Sequence, residues 1–196
     1  MIARQRLTLI LAPAALLLSA CGINTIPTAE EEVKARWADV ENNYQRRADL
    51  IPNLVETVKG FAEQEREVLT EVTEARSRAT SIQVDAEDLD DPAKMRQFQQ
   101  AQGELGSSLS RLIATFEAYP ELRSNENFLA LQSQLEGTEN RITIARRDYN
   151  QAVQEYNTRV RTFPDIIGAR LIYGAEPMVP FEATAEGAEE APDVEF

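Results

Sequence analysis

Few residues in this chain of 196 can do covalent chemistry. Histidine is absent, and cysteine occurs once, at Cys21. Without imidazole there is no Ser-His-Asp or Cys-His nucleophile and no His-ligated zinc. One thiol cannot close an internal disulfide. Carboxylates remain as the only route to a hydrolase. Glu63, Glu67, Glu71 and Glu74 recur at helical spacing on one face. Paired carboxylates do hold di-metal centres in four-helix bundles, but those centres draw on Glu-x-x-His motifs. With no histidine, the stripe reads as a solvated face. The expectation is no catalytic residue, no metal and no cofactor.

Cys21 has a different chemistry. Arg4 and Arg6 precede an apolar run, Leu7 to Leu18, interrupted only by Thr8 and Pro13. That run is shorter than the roughly 20 residues a membrane-spanning helix needs, and the order is that of a secretion signal. Its ending, Leu18-Ser19-Ala20-Cys21-Gly22, resembles the lipobox of bacterial lipoproteins. The resemblance implies cleavage before Cys21 and acylation of its sulfur and its new amine. Two or three acyl chains, at about 0.8 kcal/mol per buried methylene, give stable anchoring. Gly22 is not the aspartate that retains lipoproteins in the inner membrane of well-known enteric bacteria, which points toward the outer membrane. Loss of residues 1–20 also removes Arg4 and Arg6, so the formal charge of −13 becomes −15. Such a body repels nucleic acid and anionic headgroups.

The elements that carry these residues are helices. Apolar residues step by three and four from Val33 through Trp37, Val40, Tyr44, Ile51 and Leu54 and on to Ile82. Further stripes run from Phe98 to Tyr119 and from Phe128 to Phe163. A repeat near 3.5 residues marks helices wound around one another. Asp91-Pro92 reads as an N-cap and first helical position, Ser124 or Asn125 as the next cap, and Phe163-Pro164 as a stop. The expected fold class is all-α: a long antiparallel up-down-up bundle of three helices, about 30–84, 92–119 and 125–163. Pro52 falls within the first stripe without shifting its phase, so that helix is expected to continue through it. At about 1.5 Å per residue it would reach about 80 Å. Its companions could not cover that length, which leaves seam for a partner or a second copy.

Two charged residues interrupt the first stripe, Arg47 and Glu65. A charge on a seam is costly unless paired. They read either as pairs inside the bundle, fixing register, or as contacts for a partner; Asp49, Asn140, Arg146 and Asn150 are candidate partners. Arg141, Arg146 and Arg147 form a basic cluster that could receive the acidic tail or an acidic partner. That tail, from Gly174, holds Pro177, Pro180 and Pro192, seven acidic residues and no basic one. Met178, Val179, Phe181, Val194 and Phe196 suggest an extended strap docked part-way on the bundle, the alternative being a free tail whose terminal carboxylate a partner reads.

"RRADLIPNLVETVKGFAEQE" (46–65) and "NENFLALQSQLEGTENRITIARRDYNQAVQEYN" (125–157) resemble the LemA family, as do "EARSRA", "FEAYPELRSN" and the terminal "PDVEF". The resemblance implies a long antiparallel bundle tethered to a membrane by its N-terminus, with no established enzymatic activity. Relatives are implicated in envelope stress near membrane metalloproteases and in magnetosome membranes. Many members use an uncleaved membrane helix where this chain carries a lipobox.

The organisation expected is therefore a signal peptide at 1–20, a lipidated leash at 21–29, a LemA-like bundle at 30–173 and an acidic tail at 174–196. The function expected is a non-enzymatic envelope scaffold or adaptor, anchored through Cys21, facing the periplasm and binding another envelope protein or its own copy. A carrier of an apolar or amphiphilic ligand is the alternative; it requires a cavity lined by residues such as Leu54, Phe61, Leu135 and Ile142.

Overall fold

The computed structural model describes residues 24–60 and 65–182. Cys21 with the whole signal region, Phe61, Glu63 and the tail from 183 lie outside them. The chain forms α1 (Thr25–Lys59), α2 (Arg66–Ser81), a 3₁₀ turn (Ala86–Asp88), α3 (Pro92–Glu117), the single turn α4 (Pro120–Arg123) and α5 (Glu126–Arg161). The turn α6 (Asp165–Gly168) then leads into a π-helical turn (Ala169–Tyr173) and an extended strap, 174–182. Among the described residues there is no strand, and the all-α bundle stands.

The caps follow side-chain chemistry. The Asp91 carboxylate accepts from the Ala93 and Lys94 amides ahead of Pro92, and Asn125 accepts from Phe128 N–H at 3.1 Å. Each satisfies amides that have no partner within the helix. α1 begins at Thr25, so residues 25–29, expected as leash, are helical. The reason is Ile26, fully buried in one core with Val160 and Ala169.

The larger correction concerns the first stripe. It is not one helix over 30–84. α1 stops at Lys59 with Gly60 as its cap, and α2 runs back along it. Arg76, ten residues into α2, reaches Ala48, eleven residues from the end of α1. α3 reverses again, pairing Arg78 with Glu104 and Arg111 with Glu71. α5 lies antiparallel to α1, with Glu139 at Arg47 and Tyr149 at Trp37. The result is four long helices, up-down-up-down. A three-four pattern keeps phase across a reversal because both arms of a helical hairpin face the same core. Folding back buries Val72, Ala75 and Ala79 of α2, which an 80 Å helix would leave exposed. The seam from which self-association was expected is thus covered within the chain.

The helix does continue through Pro52, as expected. Proline has no N–H to offer the carbonyl four residues back, here that of Ala48, a buried residue. Arg76 of α2 supplies the missing donor: its Nε lies 2.7 Å from Ala48 O. The gap in one helix becomes the attachment point of the next.

A double-mutant cycle tests this coupling. Arg76→Ala is expected to cost about 1–3 kcal/mol by orphaning a buried carbonyl. In a Pro52→Ala background the helix regains its own donor, and the same substitution should cost at least about 1 kcal/mol less. Urea denaturation checks it; equal costs in both backgrounds would contradict the account.

Candidate functional site

Two hydrophobic clusters fill the bundle. One, at the end where α1 begins, surrounds Trp37 with Phe98, Tyr149 and Tyr156; the other gathers Leu54, Val58, Leu105, Leu112 and Phe116. Arg47 sits between them, 3% exposed. Its NH1 donates to Glu139 Oε2 at 3.0 Å, and its NH2 to the backbone O and Oε1 of Gln102 at 2.9 and 2.8 Å. The Gln102 amide in turn donates to Ala79 O of α2 at 3.3 Å. None of the four expected partners meets Arg47. Glu139 and Gln102 do, because they face it from α5 and α3 at the same level, a coincidence of neighbours that one helix's periodicity does not contain.

The other charged seam residue is elsewhere. Glu65 immediately precedes α2 and accepts from Tyr119 O–H at 3.1 Å. The acidic stripe is a solvated face in its described part: Glu67 and Glu74 are exposed, and Glu71 takes Arg111 through both oxygens. The three arginines of α5 diverge. Arg147 pairs with its neighbour Asp148 at 2.9 Å, and Arg141 lies exposed beside a shallow cleft with Arg36, Asp39 and Asp148. Arg146 alone turns to the tail, donating to Glu182 O at 3.0 Å with its guanidinium 4.8 Å from the Phe181 ring centre.

That contact holds the last described residues of the strap. Met178 and Phe181 are buried, the Phe181 ring 5.9 Å from Trp37 and 5.5 Å from Tyr149. Asn157 holds both N–H and C=O of Met178, and Asn150, seven residues earlier on α5, does the same for Phe181, all at 2.8–3.0 Å. Val179 N–H donates to Leu89 O, and Glu182 N–H to Gln99 Oε1. Pro180 stands where no donor is needed. Tyr149 and Tyr156 complete the set by donating to Val179 O and Glu176 O. Asn150 and Asn157 therefore serve backbone, not charge; their heptad spacing was the available signal.

Beside Glu182 a groove of about 680 Å³ lies between α3 and α5, lined by Arg96, Gln99, Gly103, Gly106, Glu139 and Arg146 among others. Among the described residues, neither Arg96 nor Arg146 forms an ion pair with a carboxylate. A Cβ on Gly103 would meet nothing within 4 Å, and one on Gly106 only Arg47 NH1 at 3.6 Å. Internal packing gives no reason for either glycine, though each weakens a helix interior by up to about 1 kcal/mol relative to alanine. The Gln99 Nε2 atom is buried without a partner. Among the described residues the lining expected of a carrier cavity is packed core: Leu54 and Leu135 are buried within one cluster and Ile142 within the other, while Phe61 lies outside the described residues.

These features define an all-α bundle that grips an extended stretch of its own chain. The model of the LemA family matches residues 36–196, and the chain belongs to that family. Among curated proteins it is 27% identical over 157 residues to magnetosome protein MamQ 2 of Paramagnetospirillum magneticum, covering 72% of this chain and 58% of that protein. Magnetosome protein MamQ of Magnetospirillum gryphiswaldense is 25% identical over the same shares. Protein LemA of Metamycoplasma hominis is 22% identical over 140 residues, 71% of this chain and 60% of that one. The chain thus spans about three-fifths of the length of these relatives.

Arg47→Ala is expected to destabilise the fold by about 3 kcal/mol, and Arg47→Met by clearly less, because methionine refills the space; chemical denaturation measures both. Alkali tests the strap. Burial raises the Tyr149 hydroxyl well above its usual range, and burial, then nearby carboxylates, raise Tyr156. A raised pKa in the fold means that this stabilisation is complete below the unfolded value of about 10 and is lost as pH rises through the folded one. Stability should therefore fall above about pH 10, with loss of amide protection at Met178–Glu182 once exchange is corrected for its base-catalysed rise. Protection there that stays unchanged through the tyrosine titration would break the link.

Proposed function

We propose that this protein is a non-enzymatic, lipid-anchored scaffold or adaptor of the bacterial cell envelope, held through acylated Cys21 with its bundle facing the periplasm. The groove beside Glu182 is its partner-binding face. The observation that carries this is the pair Gly103 and Gly106, two helix-weakening residues whose exposed face lies beside two arginines that have no carboxylate partner among the described residues. A surface shaped in this way suits an extended, acidic segment of another envelope protein, bound as the strap is bound. Arg96 and Arg146 offer such a ligand positive charge on a chain that is otherwise strongly acidic, with Glu139 and Glu182 also in the lining. Within the described residues no helix is long and apolar enough to cross a membrane, so in this reading attachment belongs to the N-terminal region.

A photo-crosslinking amino acid at Gln100, in the groove, is compared in intact cells with one at Thr70, on α2. Capture of a defined envelope protein from Gln100 alone is expected, and its loss in an Arg96→Glu or Gly103→Trp background. Gly103→Ala should raise stability by about 0.5–1 kcal/mol, which separates binding from folding. Equal capture from both positions, or capture indifferent to Gly103→Trp, would remove the groove from the function. The mass of the mature N-terminus tests the anchor separately.

A further inference from the structure

Seven large apolar residues among those described are exposed, and five fall within eleven positions: Phe163, Ile167, Leu171, Ile172 and Tyr173. Phe163 and Leu171 are 79% and 81% exposed. This is not a loose segment that failed to pack. Its small residues point inward, with Gly168 and Ala169 buried. Its backbone is pinned by Ile166 N–H to Thr162 O at 2.8 Å and Ala175 N–H to Ala169 O at 2.9 Å. The turn is therefore amphipathic in the inverted sense, small side chains to the core and large ones to the outside. Contiguous exposed apolar surface of this kind marks a docking site.

Its position says what it docks on. Ala169 shares a core with Ile26, in the first turn of α1. The patch thus lies at the end of the bundle where the chain enters from its N-terminal side. Three residues separate Cys21 from Thr25, four steps along the chain that span at most about 14 Å. Local charge also differs from the rest of the molecule. Between 159 and 173 there are three arginines and one aspartate, in a chain of net −13. Arg161 and Arg170 are exposed, and Asp165 is taken by Arg159 at 3.7 Å. An apolar surface with an aromatic residue at each end and arginines at its rim is what the headgroup–acyl boundary accepts.

We infer that Phe163, Ile167, Leu171, Ile172 and Tyr173 form a membrane seat, which presses into the leaflet holding the lipid anchor and stands the bundle on its α1 N-terminal end. The inference rests on the anchoring reading above. Acylation alone would leave the body tumbling on a short leash. A second contact fixes its orientation and sends the groove outward, away from the bilayer, at a set height. Leu129, near the start of α5, lies about 48 Å along that helix from Arg161 and marks the opposite end.

The test uses a chain beginning at Cys21, which keeps every described element. Its single thiol is coupled to a maleimide lipid in phosphatidylethanolamine–phosphatidylglycerol vesicles with brominated acyl chains. Leu171→Trp and Leu129→Trp place reporters at the two ends; Trp37 is buried and common to both. On coupling, Leu171→Trp fluorescence is expected to shift to the blue and fall by about half, as for insertion 5–10 Å deep, with Leu129→Trp unchanged. Adding Phe163→Ser and Ile172→Ser to Leu171→Trp should abolish the quenching while circular dichroism stays the same. Equal quenching at both ends, or none at Leu171→Trp, overturns the seat. So does a blue shift of Leu171→Trp that grows with protein concentration without vesicles, which would assign the patch to a second copy. Because coupling is chemical, the outcome does not depend on acylation in the cell. An unmodified Cys21 in the cellular protein would sink the anchor reading alone.

Discussion

A buried guanidinium midway along α1 is the constraint on which the arrangement of the bundle depends. Hydrophobic contact holds helices together but tolerates sliding, since one apolar stripe meets another equally well a turn away. Arg47 does not tolerate it. Its charge lies between two apolar clusters, where an unmet ion is far costlier than any single apolar contact is favourable. Two of its three nitrogens are met, Nε being left without a partner, and only when Gln102 of α3 and Glu139 of α5 stand at its level; Gln102 then fixes Ala79 of α2. One side chain thereby sets the register of all four long helices.

The same logic recurs wherever the chain must join one segment to another. Pro52 removes a donor from α1, and the vacant Ala48 carbonyl becomes the point at which Arg76 attaches α2. The strap has no strand partner, yet the non-proline amides from Met178 to Glu182 find acceptors on Asn157, Leu89, Asn150 and Gln99. Satisfying backbone groups with side chains lets a proline-containing segment lie on helices without becoming one. Phe181 adds the apolar part by entering the aromatic group around Trp37. The bundle is therefore closed by the described part of its C-terminal chain, and the polar groove lies next to Phe181 and Glu182.

Surface features follow from how the core is used up. Because α2 folds back on α1, little seam is left over, and the apolar surface that remains exposed is concentrated after α5, in the turn whose small residues face inward. The groove with its arginines lies farther down the bundle, between α3 and α5.

Helix content, the caps at Asp91 and Asn125, passage through Pro52 and the strap's apolar residues were legible in the chain because each depends on near neighbours: periodicity, a carboxylate three residues from an amide, a proline's phase. The solvated face at Glu67, Glu71 and Glu74 was legible for the same reason. The reversal between Lys59 and Arg66 was not, since a hairpin and a straight helix share one three-four pattern. Nor were the partners of Arg47 and Glu65, the parting of Arg141, Arg146 and Arg147 to different faces, or the use of Asn150 and Asn157 as clamps. Sequence by itself determined which faces are apolar and where helices can begin. Tertiary structure alone decided which polar group meets which, because that depends on what a neighbouring helix presents at the same height, a distance in space with no counterpart along the chain.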